Sequence, residues 1–125
     1  MARLKQIVID CDYPARLARF WSGALDNFEV RPYDDAEIAH LVALGFTPET
    51  DPVVLVDGPT LEICFQKVPL ENASAKRRLH LDIASDDLER EVLQLIELGA
   101  SLVEKFNDHS WMQDPEGNDF CVIRA

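Results

Sequence analysis

The side chains in this 125-residue chain best placed to do chemistry lie on a few strand-like runs. His80 and Asp82 are two residues apart and Gln6 and Asp10 are four apart, so on extended backbone each pair shares a face. A carboxylate beside His80 could fix its tautomer and raise its basicity, which a general base or a ligand needs. The competing use of such a carboxylate is a structural hydrogen bond to a loop amide. Glu62 and Cys121 add a carboxylate and a thiol near two later strand starts, and Trp111 could give a bound molecule an aromatic wall. His40 and His109 fall on an expected surface helix and an expected turn. The three cysteines, Cys11, Cys64 and Cys121, are odd in number and never form a CxxC, which signals buried free thiols rather than a disulfide framework or a structural zinc. The sequence contains no glycine-rich phosphate loop, Ser-His-Asp pattern or HExxH, so those chemistries have no support.

The elements that must position these groups follow from periodicity. Between Leu4 and Cys11, Ile7, Ile9 and Cys11 alternate with Gln6, Val8 and Asp10, predicting a strand with one polar face. Asp12 and Pro14 suit a helix start, and Leu17, Phe20, Trp21, Ala24 and Leu25 form one buried stripe. A strand is expected from Phe28 to Tyr33. Asp34 and Glu37 then make a capping pattern, with Tyr33 and Ile38 placed as a hydrophobic staple, for a small helix stopped by Gly45. Val53 to Val56, Asp57-Gly58-Pro59 and Thr60 to Val68 read as a hairpin. The polar stretch from Glu71 to Arg78 is the plausible internal linker.

Beyond the linker the pattern restarts. Leu79, Leu81 and Ile83 alternate with His80, Asp82 and Ala84, and Ser85 is the expected N-cap of a helix carrying Leu88, Val92, Leu95 and Ile96 and ending at Gly99. Strands follow near 101–106, 110–113 and 119–124, the last two joined by Asp114-Pro115-Glu116-Gly117-Asn118. The halves can be laid over one another at Gln6 and His80 and at Asp57-Gly58 and Glu116-Gly117, which puts Glu62 opposite Cys121. The expected fold class is α+β: one domain over 1–125, with module one about 1–70, a linker about 71–78 and module two about 79–125. Each is a β-α-β-β-β module, the first with a small extra helix. One helix cannot cover both faces of its sheet, so the two sheets are expected to form a cupped half-barrel.

Three stretches together resemble the vicinal-oxygen-chelate superfamily of glyoxalase, bleomycin-resistance and extradiol-dioxygenase proteins, and within it the glyoxalase-like branch. They are Ile9-Asp10-Cys11 before Pro14-Ala15-Arg16-Leu17-Ala18-Arg19-Phe20-Trp21, then Arg78-Leu79-His80-Leu81-Asp82, then Asp114-Pro115-Glu116-Gly117-Asn118-Asp119-Phe120-Cys121. The resemblance implies that the first and last strands of each half supply site residues. The positions so implied are Gln6, Glu62, His80 and Cys121, of which Gln6, Glu62 and His80 match the ligands of the metal-dependent glyoxalase I pattern. Cys121 stands where that enzyme has a glutamate acting on the substrate's protons. A thiol draws the site away from hard, oxygen-liganded metals toward zinc or softer ions, and one neutral amide weakens it further. A divalent metal is therefore a candidate cofactor without a committed ligand set. The catalytic candidates are His80 and Cys121, and the ligand-binding candidates are Gln6, Asp10, Glu62, Asp82 and Trp111. The function implied is binding of a small organic molecule, by a relative of the lyases, isomerases or dioxygenases that is not a glutathione-dependent glyoxalase I. The alternative is a non-catalytic sequestering protein of the bleomycin-resistance type.

Lys and Arg number 12 against 23 Asp and Glu, a net charge of −11, which disfavours a nucleic-acid partner and an anionic membrane surface. The N-terminal residues resemble no signal peptide and no apolar run approaches a membrane span, so a cytoplasmic location is expected. Edge strands left by an unclosed sheet lead to the expectation of a homodimer.

Overall fold

A computed structural model describes residues 4–68 and 81–125. The stretch from Glu71 to Arg78, Leu79 and the candidate His80 lie outside the described residues. The chain divides into two compact units, residues 1–74 and 75–125.

The first unit contains β1 (Gln6–Cys11), α1 (Pro14–Ala24), β2 (Glu29–Val30), α2 (Asp35–Ala43), β3 (Val53–Asp57) and β4 (Glu62–Lys67). Its open sheet has the order β1-β4-β3-β2, with β1 parallel to β4 and the other pairs antiparallel. Pro14, whose fixed φ suits a first helical turn, starts α1, but the N-cap position is Tyr13, whose side chain makes no capping hydrogen bond, rather than Asp12. Leu17, Ala18, Phe20 and Trp21 are buried, the last two rings edge to face at 5.1 Å, and α1 packs on β3 and β4. Val54, Val56, Ile63 and Phe65 supply the sheet side of this core.

Two expectations shift in this unit. The strand expected from Phe28 to Tyr33 is only two residues long, although Arg31 N still donates to Leu55 O just beyond its end. The small helix is present and Asp34 accepts from Glu37 N at 2.7 Å, yet of its apolar stripe only Leu41 is buried, while Ile38 and Val42 are exposed. Tyr33 instead sends its hydroxyl 2.7 Å to the buried Asp51, whose other oxygen accepts from Val53 N. This ties the loop after α2 to the start of β3.

The second unit contains β5 (Leu81–Ser85), α3 (Leu88–Glu97), β6 (Ser101–Lys105), β7 (His109–Gln113) and β8 (Asp119–Arg124). Its sheet, β5-β8-β7-β6, repeats the first topology strand for strand, including the parallel pair β5 and β8. The fold is therefore α+β, with two β-α-β-β-β modules and an additional helix in the first. Ser85 is not the N-cap of α3. It ends β5 and accepts from Asp87 N, while Asp87 caps the helix through Arg90 N. Gly99 closes α3 at φ 113°, as its position predicts. Leu88, Val92 and Leu95 face a sheet core of Met112, Phe120 and Val122, the last three fully buried. Among the described residues no helix is long and apolar enough to cross a membrane.

Candidate functional site

Each sheet has one face under its helix and one away from it, and alternation assigns the polar candidates to the second. In the first unit, Gln6 is the Cα partner of Glu62, and Glu62 is the partner of Asp57, which in turn faces Glu29. Directly paired residues point to the same side, so Gln6, Glu62, Asp57 and Glu29 form one rung of oxygen donors across four strands. Asp10 shares that face with Gln6 and is exposed. Three carboxylates in a row repel one another, and Arg31 compensates. Its guanidinium donates to both oxygens of Asp57, at 2.6 and 3.1 Å, and to Glu62 at 2.9 Å. The fork raises the pKa of Arg31, mainly through its bond to Asp57, and holds the Asp57 carboxyl below its ordinary range.

Arg31 was not singled out by sequence reasoning, and no spacing rule connects it to Glu62. It bears directly on Gln6, Glu62 and His80, candidate metal ligands without a committed metal. A dication at Glu62 would share its carboxylate with a guanidinium that cannot lose its charge. The donors described in the first module do not fit a divalent metal.

In the second unit the corresponding face carries Asp82, Trp111, Gln113, Asp119 and Cys121. Asp82 and Trp111 are the Cα partners of Cys121 on its two sides. Trp111 Nε1 and Gln113 Nε2 both donate to Asp119 Oδ1, at 3.0 and 3.1 Å, so the half-buried indole is held by its polar edge. Asp119 and Gln113 were absent from the sequence candidates, although period-two spacing from Cys121 and Trp111 gave them the same face. The Cys121 thiol is half-buried, and its pKa is raised first by desolvation and then by Asp82 and Asp119. Cys64 behaves in the same way, its thiol pushed up by burial and by Glu62 and Asp10. Both shifts favour the protonated thiol, which cannot act as a base. His40 is exposed on α2, and His109 begins β7 rather than lying in a turn, with Nδ1 2.7 Å from Asp108.

Register also corrects the overlay of the two halves. Glu62 pairs with Asp57, the last residue of β3, and Asp119 pairs with Gln113, the last residue of β7. Cys64 pairs with Leu55, two before that end, and Cys121 with Trp111, also two before. The counterpart of Glu62 is therefore Asp119, and that of Cys121 is Cys64. Matching Gly58 to Gly117 misplaces the last strands because Gly58 stands four residues before β4 begins at Glu62, whereas Gly117 stands two before β8 begins at Asp119.

The comparisons with known proteins agree with this architecture. The profile of a family described as glyoxalase-like domain matches residues 6–123. Among solved structures, a glyoxalase/bleomycin resistance protein/dioxygenase family enzyme from Burkholderia phytofirmans is 16% identical, with 98% of each chain covered and a TM-score of 0.69. A hypothetical protein from S. aureus is 11% identical over 100% of this chain and 95% of its own, also with a TM-score of 0.69. A fosfomycin resistance protein from Mesorhizobium loti is 12% identical over 98% and 91%, with a TM-score of 0.66. At such identities the likeness is one of fold. No curated protein sequence matches.

Proposed function

Because this chain belongs to the glyoxalase-like domain family, we propose that it binds a small organic molecule on its polar sheet faces and does not catalyse glutathione-dependent glyoxalase I chemistry. The proposed ligand-binding residues are Gln6, Asp10 and Glu62 in the first module and Asp82 and Trp111 in the second, with Gln113 and Asp119 added to them. The observation that carries this reading is the Trp111 indole, half-exposed on the sheet face and fixed at its N–H by Asp119. A rigid aromatic plane with a satisfied polar edge suits stacking against a planar or apolar ligand, with acidic and amide groups beside it for orientation.

Among the described residues, the groups that would have to move a proton are poorly suited to that task. Glu62 is engaged by Arg31, and the Cys121 thiol, held protonated, is no substitute for a carboxylate base. This favours binding and sequestration over turnover, the alternative drawn from the bleomycin-resistance relatives. His80 and Cys121 stay the proposed catalytic pair should turnover be found, in a lyase, isomerase or dioxygenase relative.

The test is a thermal-shift panel of aromatic and keto compounds, repeated with Trp111→Ala. A ligand at a hundred times its Kd adds about 2.7 kcal/mol of stability, and the variant should lose most of that shift. No shift from any compound, or isomerisation of the methylglyoxal-glutathione adduct by the wild type, would refute the reading.

We further propose a cytoplasmic homodimer. β6 is an edge strand exposed along its whole length, with Leu102 and Val103 at the surface, and such edges are commonly covered by association. Light scattering should give about twice 14.1 kDa, and a mass near 14.1 kDa would overturn the dimer.

A further inference from the structure

The structure assigns Arg31 the part of a resident cation on the first module's oxygen rung, so that Glu62 is closed to divalent metals in the native chain and opens to them when Arg31 is removed. Four oxygen-bearing side chains, Gln6, Glu62, Asp57 and Glu29, lie side by side across four strands, and two of the carboxylates, Asp57 and Glu62, meet at one nitrogen, Nη2, of Arg31. Arg31 sits two residues beyond Glu29, and so on the same side of the chain. Its backbone N–H is anchored to Leu55 O at 2.9 Å. From that anchor the guanidinium spans Asp57 and Glu62. Glu62 is the less exposed carboxylate, with 18% of its side chain accessible against 46% for Asp57. The guanidinium delivers its charge with fixed donor geometry and without any dependence on pH in the physiological range. This assignment concerns the first module alone and stands whether or not the proposed ligand is found.

The experiment titrates Mn2+ alone into chelator-treated full-length protein and follows free ion by electron paramagnetic resonance, in the wild type and in Arg31→Gln, Glu62→Gln, Arg31→Lys and the Arg31→Gln/Glu62→Gln double variant. Manganese is chosen because it prefers oxygen donors. Whatever affinity the wild type shows should be unchanged in Glu62→Gln. Arg31→Gln should gain a site at least about tenfold tighter, since it removes a positive charge next to the ion, and the double variant should lose it again. Arg31→Lys, which keeps the charge, should behave as the wild type. Wild-type Mn2+ binding abolished by Glu62→Gln would overturn the assignment, as would a folded Arg31→Gln with no gain or a gain in Arg31→Lys. Should Arg31→Gln fail to fold, the Glu62→Gln and Arg31→Lys comparisons decide the matter.

Discussion

Replacing Asp119 or Asp82 by asparagine should make Cys121 react faster with a disulfide reagent, by an amount set by the charges on its sheet face. Cys11 and Cys64 are 3% and 5% exposed, whereas Cys121 is half-buried, so the native protein should present one reactive thiol and the denatured protein three. Burial and the two carboxylates raise the pKa of that thiol, so near neutral pH its thiolate is a minor species and the rate should climb with pH well past 8. Asp119 lies two residues from Cys121 on the same face, roughly 6 to 7 Å along the strand. At a water-like dielectric a unit charge at that distance is worth about 0.6 kcal/mol, which nearly triples the thiolate population when removed. Intrinsic nucleophilicity falls as the thiol becomes more acidic, so the net gain for Asp119→Asn is slightly under about twofold. Asp82, the cross-strand partner of Cys121, is closer, and its removal should give about twofold. The double variant should approach about fourfold. Stopped-flow reaction with a chromogenic disulfide at low ionic strength measures all three, and the differences should shrink in 1 M salt, where the Debye length is about 3 Å. Unchanged rates in both variants, or two native thiols reacting alike, would refute this account of the polar face.

Three further predictions concern the framework that holds the faces in place. Phe120 is fully buried under α3, and Phe120→Ala should cost about 3 to 5 kcal/mol in urea unfolding without changing the secondary structure read by circular dichroism. Asp114, 3% exposed, accepts from Glu116 N, Asn118 N and Asn118 Nδ2 at 2.7 to 2.9 Å, so Asp114→Ala leaves three donors without their acceptor and should lower the unfolding free energy by about 2 to 3 kcal/mol. A Cβ on Gly58 would run into the Phe28 ring, so Gly58→Ala should cost about 1 to 3 kcal/mol, and the double variant with Phe28→Ala should recover part of it.

Periodicity located the helices and most strands because one face of each is buried. Leu17, Phe20 and Trp21, or Met112, Phe120 and Val122, write that burial directly into the residue pattern. It failed where a single backbone feature decided the outcome. β2 stopped at Val30, and Ser85, a good capping residue by type, was already bonded into the end of β5 while Asp87 capped the helix. The polar faces were only half legible. Alternation told which side Gln6, Asp10 and Trp111 take, but not that Arg31 reaches over Asp57 to Glu62, since a long side chain's partner depends on register between strands far apart in sequence. Asp119 was within reach of the same alternation that placed Cys121.

The overlay of the two halves shows how a sequence anchor can mislead when two glycines answer different physical needs. Gly58 follows β3 immediately and is small because the Phe28 ring leaves no room for a Cβ. Gly117 comes late in a longer turn, at φ 80° with open space around it, and is glycine because its backbone is left-handed. Aligning them shifts β8 by two residues, an even displacement that preserves alternation and so raises no alarm. With the register restored, the repeat acquires a chemical logic: Cys64 and Cys121 occupy one position, Glu62 and Asp119 another. Each carboxylate is compensated, Glu62 by a cation from beyond β2 and Asp119 by two neutral N–H donors from its neighbouring strand. The first kind of compensation removes a negative charge from the face and the second leaves it there. At this repeat position the second module keeps a full carboxylate charge, whereas the first divides one guanidinium between Glu62 and Asp57, and the second is also the face that carries the half-buried Trp111 ring.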